Sequence, residues 1–161
     1  MPILLLLGTS GCRYLEPEDG AMLNAGKDET PSTFGKAPES IWLQKAKDSF
    51  RSGDYGLAER YYRQAIEERH SNAEAWLGLA ASYDRLKRFD LADRAYKTVG
   101  GMIGNTPTFL NNLGYHYMLK GDFKAAENAF LDAQKQDPSN PYIKRNLALL
   151  SEWREKAGSP S

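Results

Sequence analysis

Large apolar, small and turn-forming positions recur along this chain in one fixed order. Gly53-Asp54-Tyr55 with Ala58 and Tyr62 returns at Lys87-Arg88-Phe89 with Ala92 and Tyr96. It returns again at Gly121-Asp122-Phe123 with Ala126 and Phe130. The large residues that open each unit, Trp42, Trp76 and Leu110, keep step at a spacing of 34 residues. A fixed period of this size marks stacked copies of one supersecondary unit. Units at 39–72, 73–106 and 107–140 follow, and 141–156 matches only the first half of a fourth.

The residue types predict how each unit is built. Ala46, Ala80 and Gly114 leave room for two helices of one unit to approach closely, and Ala58, Ala92 and Ala126 do the same from the second helix. Aromatic side chains fill the space between them. Gly53 and Gly121 suit a left-handed residue that ends the first helix. Lys87 occupies that place in the middle unit, which predicts a turn that is strained or differently shaped. Asp137-Pro138 stops one helix, and Pro141 fits the first turn of the next. Gly100-Gly101 predicts a shortened second helix in the middle unit and a looser connection over 100–106.

The repeated residues resemble those of the tetratricopeptide repeat family. The second unit carries Trp76, Leu79, Ala80, Tyr83, Phe89, Ala92 and Tyr96. The third carries Leu110, Leu113, Gly114, Tyr117, Gly121, Phe123, Ala126, Phe130, Ala133 and Pro138. The first departs at Ser49, where an aromatic is usual, and at His70, where proline is usual. The resemblance implies an all-α fold, a right-handed superhelical solenoid of three helix-turn-helix repeats plus a C-terminal capping helix.

It also implies a concave groove, lined by the first helices, that binds a peptide of a protein partner. Projected onto this chain, the groove takes Leu43, Lys47, Phe50 and Arg51 from the first unit and Leu77, Ala81, Asp84 and Arg85 from the second. The third gives Asn111, Asn112, Tyr115, Met118 and Leu119, and the capping helix Arg145, Asn146, Leu149 and Trp153. Phe50, Tyr115, Met118 and Trp153 are the expected anchors for an amphipathic or extended segment. In the alternative, Phe50 and Trp153 pack on the preceding segment or the solenoid end. Lys47, Arg51, Asn111 and Arg145 supply part of the chemistry of a carboxylate clamp, but Leu77 and Ala81 break its pattern.

Composition narrows the chemistry. The 161 residues carry 21 basic and 21 acidic side chains, so no overall field favours nucleic acid or an anionic membrane. One cysteine allows neither an intrachain disulfide nor a zinc spacing. His70 and His116 are the imidazoles, and both read as structural. Asp48, Asp54, Asp84, Asp90 and Asp122 read as solvated or capping carboxylates. With no nucleophile elbow or phosphate-binding glycine loop, the expectation is a non-enzyme without cofactor or metal.

The first 38 residues are of another kind. An apolar run from Pro2 to Leu7, then Gly8-Thr9-Ser10-Gly11 before Cys12, resembles a secretory signal ending in a bacterial lipobox. In that family the cysteine becomes the lipid-bearing N-terminus, and Arg13 rather than aspartate after it implies the outer membrane. Residues 13–38, with Pro17, Gly20, Gly26, Pro31, Gly35 and Pro38, read as a flexible tether, and 157–161 as a disordered tail.

Trp76 to Leu86, Arg88 to Tyr96, Asn111 to Tyr115 and Asn140 to Leu147 resemble the lipoproteins of Tad (Flp) pilus assembly. That resemblance implies a pilotin-like accessory on the periplasmic face of the outer membrane. Its expected partner is the secretin or another pilus subunit, and the lipid is its contact with the membrane. The competing reading is a soluble cytoplasmic scaffold or co-chaperone whose first residues are incidental. Lipidation of Cys12 separates the two.

Overall fold

In the computed structural model the described residues, 40–158, form seven α-helices. They are α1 (Ile41–Arg51), α2 (Tyr55–Glu68), α3 (Ala73–Arg85), α4 (Phe89–Ile103), α5 (Pro107–Leu119), α6 (Phe123–Gln136) and α7 (Pro141–Gly158). The expectations for the signal, Cys12 and the tether up to residue 38 lie outside the described residues, as do the last three positions.

Side-chain caps start most of these helices. Ser40, Asp54, Asn72, Thr106 and Asp122 each accept the backbone N–H three residues on, satisfying a donor the helix cannot pair. Helix α4 is the exception. Arg88 stands at its N-cap and makes no such bond; its guanidinium instead donates to Glu59 on α2 at 2.6 Å.

The same turn closes all three units. Gly53 and Gly121 have φ of +79° and +82°, and Lys87 takes φ of +57° in the equivalent place. The following amide reaches back to Ser49, Tyr83 or Tyr117 at 2.8–2.9 Å, giving a Schellman closure each time. Of the two outcomes expected at Lys87, the turn is the strained one; its shape is conserved.

The expectation for Gly100-Gly101 is overturned. Helix α4 runs through both residues to Ile103 and ends at Gly104, whose φ is +63°. Tertiary packing explains why: a Cβ on Gly100 would lie 2.9 Å from the ring of Phe109 on α5. The missing side chain admits the next repeat and does not mark a break.

Contacts between elements set the shape. Each odd-numbered helix touches the odd helices nearest it and every even helix adjacent to it in the chain, whereas no even helix touches another even one. The odd helices therefore form a continuous inner layer, and the even ones fan outward. Ala46, Ala58, Ala80, Ala92 and Ala126 are fully buried where helices cross. A Cβ on Gly114 would meet the Phe130 ring at 2.6 Å, and one on Gly78 would meet the Tyr62 ring at 2.2 Å. Gly114 joins two helices of one repeat, while Gly78 joins α3 to the preceding repeat through α2.

Candidate interaction surface

The inner layer carries rows of side chains at the 34-residue spacing. One row is Leu43, Leu77, Asn111 and Arg145; a second is Lys47, Ala81, Tyr115 and Leu149; a third is Arg51, Arg85, Leu119 and Trp153. The third row sits at the C-terminal ends of the odd helices, or nearly so on α7, and stays accessible throughout. Arg51 is exposed, and Arg85, Leu119 and Trp153 are half-buried. In the other two rows only the end members, Lys47, Leu149 and Arg145, are open.

Burial thus corrects the expected groove. Leu43, Phe50, Leu77, Ala81, Asp84, Asn111, Asn112, Tyr115, Met118 and Asn146 are all buried. Helices α3 and α5 have packed neighbours on both sides, so their inner positions become core, and on the end helices Phe50 is covered by Tyr55 and Asn146 by Asn111. Phe50 packs edge-on against Tyr55 with ring centroids 5.1 Å apart, and Met118 is 0 % exposed. Of the four expected anchors, only Trp153 keeps an accessible face, and it leans on the core. Asn146 donates to Asn111 at 3.0 Å, an interior contact between α7 and α5.

The accessible row changes character along its length. Lys47 pairs with Glu74 at 3.1 Å, Arg51 pairs with Asp48, and Arg85 lies 4.2 Å over the Tyr55 ring. Burial pushes the Tyr115 phenol up to about 12, while Arg85 and Arg145 are close enough to act in the opposite sense. The first two repeats thus present guanidinium and ammonium groups. The third repeat and α7 present Leu119, Leu149 and Trp153, with Arg145 of the first row beside them. A cavity of about 360 Å³ between α6 and α7, lined by Leu147, Leu150, Ser151 and Arg154, is bridged by Arg154 and Glu127 at 3.0 Å.

One polar cluster lies behind this row, buried at His116, Asp84 and Tyr96 and open at Asp93 and Lys120. His116 on α5 is 0 % exposed, with Nδ1 2.6 Å from Asp84 of α3 and Nε2 2.8 Å from Asp93 of α4. Tyr96 donates its hydroxyl to the other oxygen of Asp84 at 2.9 Å, and Lys120 holds Asp93 at 2.9 Å. Asp84 is therefore neither solvated nor a cap, in contrast to Asp54 and Asp122, which do cap. His116 is structural as expected, but its two carboxylate partners were not anticipated. The available signal was Asp84 itself, a charge standing where the equivalent residues are Phe50 and Met118.

Models of the tetratricopeptide repeat match residues 43–99 and 107–140. The chain belongs to the tetratricopeptide repeat family, whose fold is a non-catalytic interaction scaffold. No curated protein matches it significantly. Among solved structures it is similar to the first tetratricopeptide domain of human RPAP3, at 18% identity, 74% of this chain, 95% of that one and a TM-score of 0.64.

It is likewise similar to the Yersinia enterocolitica type III secretion chaperone SycD in complex with a peptide of the translocator YopD. There the identity is 23%, the coverage 71% and 88%, and the TM-score 0.58. PcrH in complex with the chaperone-binding region of PopD gives 20%, 78%, 99% and 0.61. These likenesses show the solenoid fold.

Proposed function

We propose that this protein is an interaction scaffold that holds an extended segment of a protein partner along Arg51, Arg85, Leu119 and Trp153. The observation that carries this reading is the row itself. It is the one series of the three at repeat spacing that stays accessible from the first repeat to the last helix. A partner segment matching it carries acidic residues toward the first repeat and apolar ones toward α7. Peptide complexes of SycD and PcrH, proteins of the same fold, support a peptide as the kind of ligand.

The finer role follows from the N-terminal sequence: a lipid-anchored, pilotin-like accessory of Tad-type pilus assembly on the periplasmic face of the outer membrane, engaging the secretin or a companion subunit. The lipobox-like run before Cys12 supports it. Among the described residues no helix is long and apolar enough to cross a membrane. Fractionation of the full-length protein beside Cys12→Ala, with the intact mass of the mature N-terminus, tests the role. A lipid-modified wild type that pellets with outer membrane, and a variant that does not, is the expected result. Unmodified Met1 and soluble protein in both would leave the scaffold reading and remove the anchored one.

The likeness to secretion chaperones favours one further reading, a soluble chaperone that shields an apolar segment of its partner. In that case Leu119, Leu149 and Trp153 carry most of the affinity, and lipid is absent.

A further inference from the structure

We propose that His116 is a proton-operated clasp: a buried imidazolium shared by Asp84 and Asp93 fastens the third repeat to the second, and loss of its proton loosens that junction. The geometry carries the assignment. Each ring nitrogen lies within hydrogen-bond distance of a carboxylate oxygen, 2.6 Å to Asp84 and 2.8 Å to Asp93. With both carboxyls ionised each is an acceptor only, so both nitrogens donate, and only the charged ring has two N–H groups. On the Asp84 side, where both side chains are fully buried, a neutral ring could set a lone pair against the carboxylate with no water to relieve it; Asp93, on the other side, is 45 % exposed. The three groups belong to α5, α3 and α4, so one proton ties three helices across the repeat boundary.

The surrounding charges agree. Burial opposes a charge on the ring, yet the hydrogen bonds and charges of Asp84 and Asp93 outweigh it and hold the imidazole above its ordinary value. Burial pushes the Asp84 carboxyl up, only partly offset by His116 and Tyr96. Asp93, despite some burial, is held below the usual range by Lys120 and His116. Tyr96 of α4 is pushed far up by burial and the Asp84 charge, and keeps its proton throughout.

Other groups stand further off. On α5 the Tyr117 ring lies 5.6 Å from the imidazole and Lys120 holds Asp93. From α3 and α7, Arg85 and Arg145 act on Tyr115, the residue before His116. From α6, Glu127 is engaged by Arg154. On α4, Asp90 acts on Lys120.

The sign of the pH dependence follows. A histidine raised on folding stabilises fully below its unfolded value and loses that contribution as pH rises through the folded value. Closure of the junction should weaken progressively through that window, by at most about tenfold per pH unit. Three clasp residues are chain neighbours of the inner surface: Asp84 of Arg85, His116 of Tyr115, and Lys120 of Leu119. On the scaffold reading above, the clasp therefore fixes the spacing between the Arg85 and Leu119 positions.

The test uses the full-length protein. Nitrogen-15 spectra of the His116 ring, recorded as a pH series, are compared with amide exchange protection of α5 over the same series. The expected result is protons on both ring nitrogens of His116 at a pH where an ordinary imidazole, at about 6.5, has lost one. Protection of α5 then falls relative to α1 and α2 as the ring titrates, and Asp93→Asn moves both midpoints to lower pH. A singly protonated ring at that pH overturns the proposal, and so does ring titration that leaves α5 protection unchanged. Neither readout uses a partner, so failure of the interaction reading leaves this result standing, and the reverse.

Discussion

At the scale of single residues, the inner layer is more interior than surface. Met118 is fully buried between repeats, so Met118→Glu places an unpaired charge in the core. It should cost more than about 4 kcal/mol and lower the melting temperature sharply. A mutation there reports on folding and says nothing of binding. Gly78→Ala gives a second expectation. Alanine improves helix propensity by about 1 kcal/mol, but its Cβ would lie 2.2 Å from the buried Tyr62 ring. The crowding should win, with a net loss of about 1–3 kcal/mol in denaturant unfolding.

These residues also show what the sequence made legible. Alanine and glycine at fixed positions identified the crossings, because only small residues permit them. Repeat position alone could not say which of Leu43, Tyr115 or Met118 would be covered. Their exposure depends on how closely α1, α3, α5 and α7 pack on one another. The pairing of Asp84 with His116 was not legible for a related reason: they are 32 residues apart, and neither repeats elsewhere in the chain at its position.

At the scale of elements, the middle repeat departs from its neighbours at both ends of α4. Lys87 adopts the left-handed conformation that glycine supplies in the other two units. Lys87→Gly should relieve that strain and stabilise the protein by about 0.5–1 kcal/mol in equilibrium unfolding. Loss of stability would mean that an interaction of the Lys87 side chain outweighs the backbone cost. The end of α4 gives the opposite lesson. Two glycines in sequence suggested a break, whereas the helix continues because Gly100 receives Phe109 of the following repeat. Local propensity is a weak guide where a neighbouring element decides the outcome.

At the scale of the whole molecule, three repeats and a closing helix make one inner surface, whose accessible row runs from Arg51 and Arg85 to Leu119 and Trp153. Arg85→Ala and Trp153→Ser touch accessible side chains, so helicity and cooperative melting should persist while partner binding falls by about tenfold or more, as for interface residues above 1 kcal/mol. Competition with a labelled partner segment checks this. Leu131 and Met102, on α6 and α4, are exposed apolar residues of the outer helices and provide the control face.

The most direct test of the central claim is site-specific photocrosslinking in living cells, with the reactive residue placed in turn at Arg85, Leu119, Met102 and Leu131. Positions 85 and 119 should capture one and the same partner, and 102 and 131 none. Crosslinks from 102 or 131 with none from 119 would move the interaction to the outer helices and contradict the concave-surface function.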